Sequence, residues 1–290
     1  MRSLQVLETG LLATVQDLGR PGLARVGVGR SGAADRGALR LGNRLLGNDE
    51  GCAGIEVTLG GLALRAEADL LIAVTGAPCP VTVDTRPAVL NGPVRLPAGA
   101  QLRLATPTSG LRSYVTARGG LDVAPVLGSR STDVLAGLGP EVLASGDLLP
   151  VAAPPRAQPL VEVAPVPPPA AGEVLLRVRP GPRADWFADQ ALATLTGNPY
   201  EVSSESNRVG ARLLGPVLAR SRDEELPSEG MVAGALQVPP SGQPTLFLAD
   251  HPVTGGYPVL AVVVAADLDL AAQLRPGQAV RFKAIADRAG

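Results

Sequence analysis

A proline-rich segment near the middle of the chain restricts the fold more than any other feature of the 290-residue sequence. Eight prolines lie between Pro150 and Gly172, at positions 150, 154, 155, 159, 165, 167, 168 and 169. Because proline lacks an amide donor and has a fixed φ angle, this stretch cannot form a helix or a central strand. It is typical of a semi-rigid, extended connector. We therefore expect an N-terminal domain over residues 1–150, a linker over 151–172 and a C-terminal domain over 173–290.

Both sides of this segment have the pattern of short β-strands. Aliphatic runs of a few residues recur along the chain, each bounded by Gly, Pro or Asp. Helical patterns occur at only three places, residues 34–46, 185–196 and 267–274. Many short strands with three helices predict a mainly β fold, built as two β-barrels or sandwiches that each carry a helix.

Charge and composition exclude several classes of function. The 26 basic and 27 acidic residues give a net charge of −1, which provides no electrostatic basis for binding nucleic acid or an anionic membrane. Lys283, the only lysine, lacks the neighbours of a Walker A loop or of a biotin-carrying lysine. The only histidine, His251, excludes a multi-histidine metal site, so we expect no metal. Without a signal peptide or an apolar stretch long enough to span a bilayer, the sequence predicts a cytoplasmic protein.

Two glycine-rich clusters in the N-terminal half are candidates for binding an anionic group, at residues 14–35 and 118–133. Glycines let the backbone approach a ligand and direct amides towards it, and a guanidinium binds a carboxylate or phosphate through two parallel hydrogen bonds. A turn-rich strand connection or a solvent-facing arginine beside a turn also explains these residues, so that alternative remains open. The candidate residues are Arg20, Ser31, Asp35, Arg118, Gly119 and Gly120.

Three further clusters lie in the C-terminal half, at residues 203–213, 227–244 and 250–258. His251 follows Asp250, but adjacent residues on an extended strand point to opposite faces, so the pair cannot form a catalytic dyad without a kink. Whether His251 is catalytic remains open. The candidate residues in these clusters are Arg208, Arg212, Gln237, Asp250, Gly255, Gly256 and Tyr257.

Taken together and in order, the motifs resemble those of one family. They lie at residues 14–22, 31–35, 118–120 with 128–132, 181–183, 208–213, 234–239 and 254–258. The chain resembles the biotin-dependent carboxyltransferase family (subdomains A and B, also called allophanate hydrolase subunit 2-like), whose bacterial members include 5-oxoprolinase subunits. The resemblance implies two tandem cyclophilin-like β-barrel domains with few helices.

The resemblance also implies a function. The chain is expected to be one subunit of an ATP-dependent 5-oxoprolinase, which opens the 5-oxoproline lactam to L-glutamate and is not active as this chain alone. The implied partners are an A-like subunit of the same enzyme and a B-like, kinase-inhibitor-like protein, and the implied substrate is small and anionic. ATP would act at the level of the complex, and biotin is not attached to this chain.

Phosphoryl transfer to the lactam oxygen would create a leaving group for attack by water, and such a site needs cations and amide donors. On this hypothesis Arg118, Arg208 and Asp250 are catalytic, and the substrate-binding residues are Arg20, Ser31, Asp35, Gly119, Gly120, Arg212, Gln237, Gly255, Gly256 and Tyr257.

Two alternatives remain. In the first, the chain is the carboxyltransferase component of a biotin-dependent, urea-carboxylase-like system. In the second, it is a non-catalytic regulatory partner of a kinase-inhibitor-like protein.

Overall fold

The computed structural model describes residues 2–156, 158, 161–222 and 224–285. The chain divides into two compact units. The first comprises Met1–Arg20 and Ser31–Pro169, and the second comprises Pro21–Arg30 and Ala170–Gly290. The proline-rich residues up to Pro169 therefore belong to the first unit.

The first unit contains, among its described residues, eleven strands and one α-helix. They are β1 (Ser3–Thr9), β2 (Leu12–Gln16), α1 (Arg36–Leu45), β3 (Gly54–Thr58), β4 (Leu62–Ala66), β5 (Leu70–Gly76), β6 (Val81–Val83), β7 (Arg86–Pro87), β8 (Pro93–Leu96), β9 (Gln101–Leu104), β10 (Arg112–Ala117) and β11 (Leu148–Pro150).

These strands form two antiparallel sheets, in the orders β11-β1-β4-β9-β6-β7 and β2-β3-β10-β5-β8. One continuous core contains side chains from both sheets, such as Val6 and Leu64 from the first and Ile55 and Val115 from the second. Because side chains alternate along a strand, each sheet supplies one apolar face to this core. Aliphatic residues fill it, as the low aromatic content requires.

Helix α1 confirms the prediction for residues 34–46. Asp35 is its N-cap, and the Asp35 carboxylate accepts a hydrogen bond of 2.8 Å from the amide of Ala38. Leu39 and Leu45 are buried on the inner face of the helix. A glycine in the left-handed region, Gly47, follows the last turn.

The second unit contains, in the part that the structure describes, nine strands and two α-helices. They are β12 (Val174–Pro180), α2 (Ala191–Gly197), β13 (Tyr200–Val202), β14 (Gly210–Leu214), β15 (Glu229–Gly230), β16 (Ala235–Gln237), β17 (Thr245–Phe247), β18 (Thr254–Gly255), β19 (Val259–Val263), α3 (Leu268–Ala271) and β20 (Ala279–Ala284). Three-residue 3-10 helices lie at Ala24–Val26, Ala184–Trp186 and Ala265–Asp267.

Seven of these strands close into a barrel in the order β12-β19-β16-β17-β14-β13-β20. The parallel pairing of β12 with β20 closes the ring, and the other neighbours are antiparallel. The mainly β prediction is therefore confirmed, with a closed barrel in the second unit. In the first unit, two sheets surround one core.

The two remaining helix predictions are confirmed only in part. The region 185–196 contains the 3-10 helix Ala184–Trp186, an extended Phe187 and then α2. Trp186 and Phe187 are both buried in the barrel core, and this tertiary burial prevails over local helix propensity. The region 267–274 retains only the four-residue α3. No helix within the described residues is long and apolar enough to cross a membrane.

Candidate functional site

A cleft of about 1280 Å³ lies beside β5 and β8 in the first unit and collects cationic side chains. The described proline-rich residues between positions 154 and 162 line its other side. Four arginines face two carboxylates in its lining, so the cleft is positively charged. We call it the arginine cleft, after Arg2, Arg95, Arg118 and Arg156, which lie with Asp69 and Glu162.

Arg118 is the buried arginine of the arginine cleft. Only 8% of Arg118 is exposed, and Nη1 donates to Oε1 of Gln158 at 2.7 Å. Nη2 donates to the carbonyl of Pro155 at 2.9 Å, and Arg2 donates to the Arg118 carbonyl at 3.1 Å. The two acceptors on the proline-rich segment thus occupy two guanidinium nitrogens, as two oxygens of a carboxylate ligand do.

The two glycines after Arg118 do not supply free amide donors. The amide of Gly119 donates to Oδ1 of Asn48 at 2.8 Å. The amide of Gly120 donates to the carbonyl of Ala117, also at 2.8 Å. Both amides are therefore already used within the fold, and an oxyanion at this position would have to compete with those acceptors.

Around Asp17, a buried hydrogen-bond network connects the end of β2 to the loop at residues 129–131. One Asp17 oxygen accepts from the hydroxyls of Ser129 and Ser131 at 2.6 and 2.5 Å and from the amide of Gly19 at 2.7 Å. The other oxygen accepts from the amide of Arg130 at 2.7 Å. These four donors saturate the carboxylate, so Asp17 holds the two segments together.

Three further candidate residues lie close to this Asp17 network or to α1. They are Ser31, Asp35 and Arg20. The Ser31 hydroxyl donates to the carbonyl of Thr132 at 3.3 Å, and Ser31 has a φ angle of 52°. Asp35 caps α1, as described above. The Arg20 guanidinium donates to the carbonyl of Ser131 at 2.6 Å. Ser31 and Arg20 therefore both donate to backbone carbonyls of the segment 131–132. The Asp35 side chain instead caps α1.

A buried polar cluster beneath α1 was not predicted. Glu56, on β3, accepts from the Tyr114 hydroxyl at 2.7 Å and from the amide of Ala34 at 2.9 Å, and its other oxygen lies 3.4 Å from Arg112. Burial raises the pKa of Tyr114 well above its usual value, and the nearby Glu56 carboxylate raises it further. The Tyr114 oxygen also accepts from the amide of Asp35 at 2.8 Å. The cluster fixes the start of α1 against the sheet.

In the second unit, Arg208 and Asp250 form a buried ion pair. Nε and Nη2 of Arg208 each donate to an Asp250 oxygen at 2.9 Å, and the side chains are 1% and 0% exposed. Arg208 precedes β14 and Asp250 follows β17, and these strands are antiparallel neighbours in the barrel. The bidentate pairing neutralises both charges. It favours a positioning role for the two residues over direct contact with an anionic substrate.

Gln237, Gly255 and Tyr257 come together at another place on the barrel. The Gln237 amide nitrogen donates to the carbonyl of Tyr257 at 3.1 Å and lies 3.8 Å from the sulfur of Met231. A Cβ at Gly255 would lie 2.5 Å from that amide nitrogen, so a larger residue at this position would displace the end of the Gln237 side chain. Gly256 is next to this group in the chain, and Tyr257 is 45% exposed.

Other residues in the second unit have separate contacts. Arg212 is 62% exposed and pairs with the exposed Glu205 at 3.3 Å. The Nδ1 of His251 lies 2.8 Å from the carbonyl of Pro252. Among the described residues, no group of three or more His, Cys, Asp or Glu side chains is placed to hold a metal.

Comparison with known proteins decides the family. The protein-family model described as "Carboxyltransferase domain, subdomain A and B" matches residues 26–284. The 5-oxoprolinase C subunit of Escherichia coli (strain K12) is 38% identical over 282 residues, which cover 96% of this chain and 90% of that protein. The chain belongs to the carboxyltransferase family. The resemblance inferred from the motifs is thus confirmed, and the 5-oxoprolinase relatives mark the chain as related to a subunit of an enzyme.

Larger proteins match almost the whole of this chain over a small part of their own length. Urea amidolyase of Lachancea kluyveri is 31% identical over 308 residues, covering 97% of this chain but 17% of that protein. The crystal structure of K. lactis urea amidolyase superposes with a TM-score of 0.92 at 29% identity, over 98% of this chain and 19% of that one. The crystal structure of TTHA0988 gives a TM-score of 0.88 at 36% identity. This chain spans 55% of the TTHA0988 chain, so it corresponds to about half of that protein.

Proposed function

We propose that this chain is a subunit of an ATP-dependent 5-oxoprolinase that opens the 5-oxoproline lactam to L-glutamate. The observation that carries the proposal is the similarity to the 5-oxoprolinase C subunit, which extends over 96% of this chain and 90% of the relative. The urea amidolyases are matched over only 16–17% of their length. The proposed partners are an A-like subunit of the same enzyme and a B-like, kinase-inhibitor-like protein, with no activity expected from this chain alone.

The arginine cleft supports this proposal by its charge. 5-Oxoproline carries a carboxylate, and a guanidinium binds a carboxylate through two parallel hydrogen bonds. We assign this role to Arg118, because the Gln158 and Pro155 oxygens already hold two of its nitrogens in a geometry suited to a two-oxygen acceptor. Binding at this place requires the substrate to displace those two acceptors.

We propose that ATP acts at the level of the complex. The only lysine, Lys283, lies exposed on β20 of the barrel and does not follow a glycine-rich phosphate loop. The residues of this chain therefore do not fit a P-loop for ATP, and we derive no catalytic step from a nucleotide bound here. What the chain supplies in this proposal is substrate binding by cationic side chains.

The test is reconstitution. The chain is co-expressed with both proposed partners, and glutamate release from 5-oxoproline is measured with and without ATP. Activity that requires all three proteins and ATP supports the proposal. A carboxyltransferase function, which the fit to urea amidolyase favours, predicts instead transfer of a carboxyl group from carboxylated biotin. A tight two-protein complex without either activity would favour a regulatory role.

Arg118→Ala tests the assigned residue. We expect this variant to keep the thermal stability of the wild type within a few degrees and to lower kcat/KM for 5-oxoproline by at least tenfold. The matched control is Arg103→Ala, which removes an exposed arginine paired with Glu8 on the same unit. Wild-type turnover by Arg118→Ala would exclude this residue from the site, without bearing on the reaction assigned to the complex.

A further inference from the structure

Arg95 and Arg118 lie in one row across three neighbouring strands of the first unit. In that sheet β10 pairs with β5, and β5 pairs with β8. Leu71 is the middle residue of the row. Its carbonyl accepts from the amide of Arg118 at 2.8 Å, and on its other side it is paired with Arg95. Because neighbouring strands are about 4.8 Å apart, the Cα atoms of the two arginines lie about 10 Å apart.

The two arginines also point to the same face of this sheet. The residues of the adjacent row belong to the core that both sheets of the unit share. They are Ala117, Ile72 and Val94. Since successive side chains on a strand point to opposite faces, Arg118 and Arg95 point away from that core. Both accordingly line the arginine cleft, and the side chain of Leu71 lies between them in its lining.

Arg95 is exposed on β8 and has no ion-pair partner in the part of the chain that the structure describes. The two carboxylates of the cleft, Asp69 and Glu162, are also exposed. Asp69 accepts a hydrogen bond of 2.8 Å from the amide of Ala98. The charge of Arg95 is therefore available to a ligand.

The arginine cleft holds more positive charge than 5-oxoproline uses. One carboxylate occupies one guanidinium through two parallel hydrogen bonds, and that role is assigned to Arg118. Arg2 donates to the carbonyl of Arg118 at 3.1 Å, so Arg95 is not the only further cation beside it. The cleft volume of about 1280 Å³ exceeds the roughly 300–1000 Å³ that small-molecule sites usually have. Charge and space thus allow a ligand with a second anionic group.

We propose that Arg95 and Arg118 together bind a small ligand that carries two anionic groups. Arg118 binds the first group and Arg95 binds the second. When the two side chains extend side by side, hydrogen bonds of about 2.8 Å to each leave roughly 4 Å between the acceptor oxygens. L-glutamate, the product of the proposed reaction, carries two carboxylates, because opening the lactam converts its carbonyl into a second one. Neighbouring phosphates of a polyphosphate are the other source of such a pair.

The inference rests on the proposed function for the role of Arg118, but the binding itself requires neither partners nor a reaction. It is measured on the full chain by isothermal titration calorimetry, without ATP. The two-anion probes are L-glutamate and inorganic pyrophosphate, and their one-anion counterparts are L-glutamine and a phosphate monoester. L-glutamine has the shape of L-glutamate with a neutral amide in place of the second carboxylate.

We expect a two-anion probe to bind about two- to fivefold more tightly than its counterpart, the effect of one partly exposed ion pair. Whichever of L-glutamate and pyrophosphate binds more tightly identifies the source of the two groups.

Three variants locate the second group. Arg95→Gln removes an exposed cation, so the thermal stability should stay within about 2 °C of the wild type. It should weaken the two-anion probe about two- to fivefold and leave the one-anion probe unchanged. Arg118→Gln should weaken both. Arg86→Gln is the matched control, because Arg86 is an exposed arginine of β7 outside the lining of the arginine cleft, and its loss changes the net charge equally.

The proposal is wrong if neither two-anion probe binds at millimolar concentration, or if each binds no more tightly than its counterpart. It is also wrong if Arg95→Gln weakens one-anion and two-anion probes by the same factor, since a general loss of charge does that. A negative result here leaves the reconstituted oxoprolinase assay unaffected. A reconstituted complex that fails to open 5-oxoproline likewise leaves the measured affinities unaffected.

Discussion

Asp250→Asn provides the sharpest test of how the second unit is held together. The substitution removes the negative charge opposite Arg208 while keeping nearly the same shape. Both side chains are fully buried, so solvent does not screen the attraction between them. Water also does not compete for the two hydrogen bonds of 2.9 Å. Removing one partner of a buried pair leaves an uncompensated charge and costs about 3–5 kcal/mol. For a unit of this size, that loss lowers Tm by roughly 10–20 °C.

The assay is thermal unfolding followed by circular dichroism, with Arg212→Ala as the matched control. Arg212 and Glu205 form an exposed pair, for which a change below about 1 kcal/mol is expected. A Tm change of less than about 3 °C for Asp250→Asn would refute the argument that this pair is an uninterrupted buried contact. The same result would reopen a direct role for Arg208 in binding an anion.

A double variant separates positioning from catalysis. Arg208→Met with Asp250→Leu removes both charges and fills the space with apolar atoms, which often leaves stability unchanged or improves it. If the pair only positions the loops that follow β17 and precede β14, the double variant should regain both stability and activity in the reconstituted complex. A stable but inactive double variant would show that one of the charges takes part in the reaction, which would contradict a purely positioning role.

Two further predictions concern protonation. Hydrogen bonds from Arg177 hold the pKa of Asp267 below its usual range, so its contribution to stability is present above about pH 4 and is lost as pH falls through the lowered pKa. Asp267→Asn should therefore lower Tm at pH 7, and the difference in Tm from the wild type should narrow as the pH falls through the lowered pKa; a difference that stays constant as the pH is lowered would contradict this. Burial raises the pKa of Tyr200 to about 12 and that of Tyr114 well above its usual value. Absorbance at 295 nm, assigned with Tyr→Phe variants, should show both phenols protonated at pH 11 in the folded protein and ionised after unfolding in guanidinium.

Local sequence patterns predicted what depends on near neighbours along the chain. Helix α1 has an N-cap aspartate, a buried face and a terminating glycine within 13 residues, and it forms where expected. The family followed from motifs that are each short and continuous. The region 185–196 was less predictable because Trp186 and Phe187 are drawn into the barrel core, and that contact is not encoded in helix periodicity.

Side chains brought together from distant positions could not be predicted in the same way. The arginine cleft joins Arg118 to Arg2, Arg95 and Arg156, which are single arginines outside any motif. Arg208 and Asp250 were both selected from the sequence, but only the pairing of β14 with β17 shows that they bind each other. Glu56 lay in an ordinary strand pattern and gave no signal, although it anchors the start of α1.

The buried arginines differ in their hydrogen-bond partners. This difference distinguishes arginines that hold the fold together from arginines that can bind a ligand, which the sequence alone did not. A guanidinium that faces a carboxylate of its own fold, as in Arg112 and Arg208, has its charge balanced before any substrate arrives. Arg118 is held by neutral oxygens that an anion can replace, and Arg20 keeps one nitrogen without a partner. Because replacing a neutral acceptor by an anion gains electrostatic energy while replacing a carboxylate does not, we propose Arg118, rather than Arg112 or Arg208, as the buried arginine that binds a negatively charged ligand.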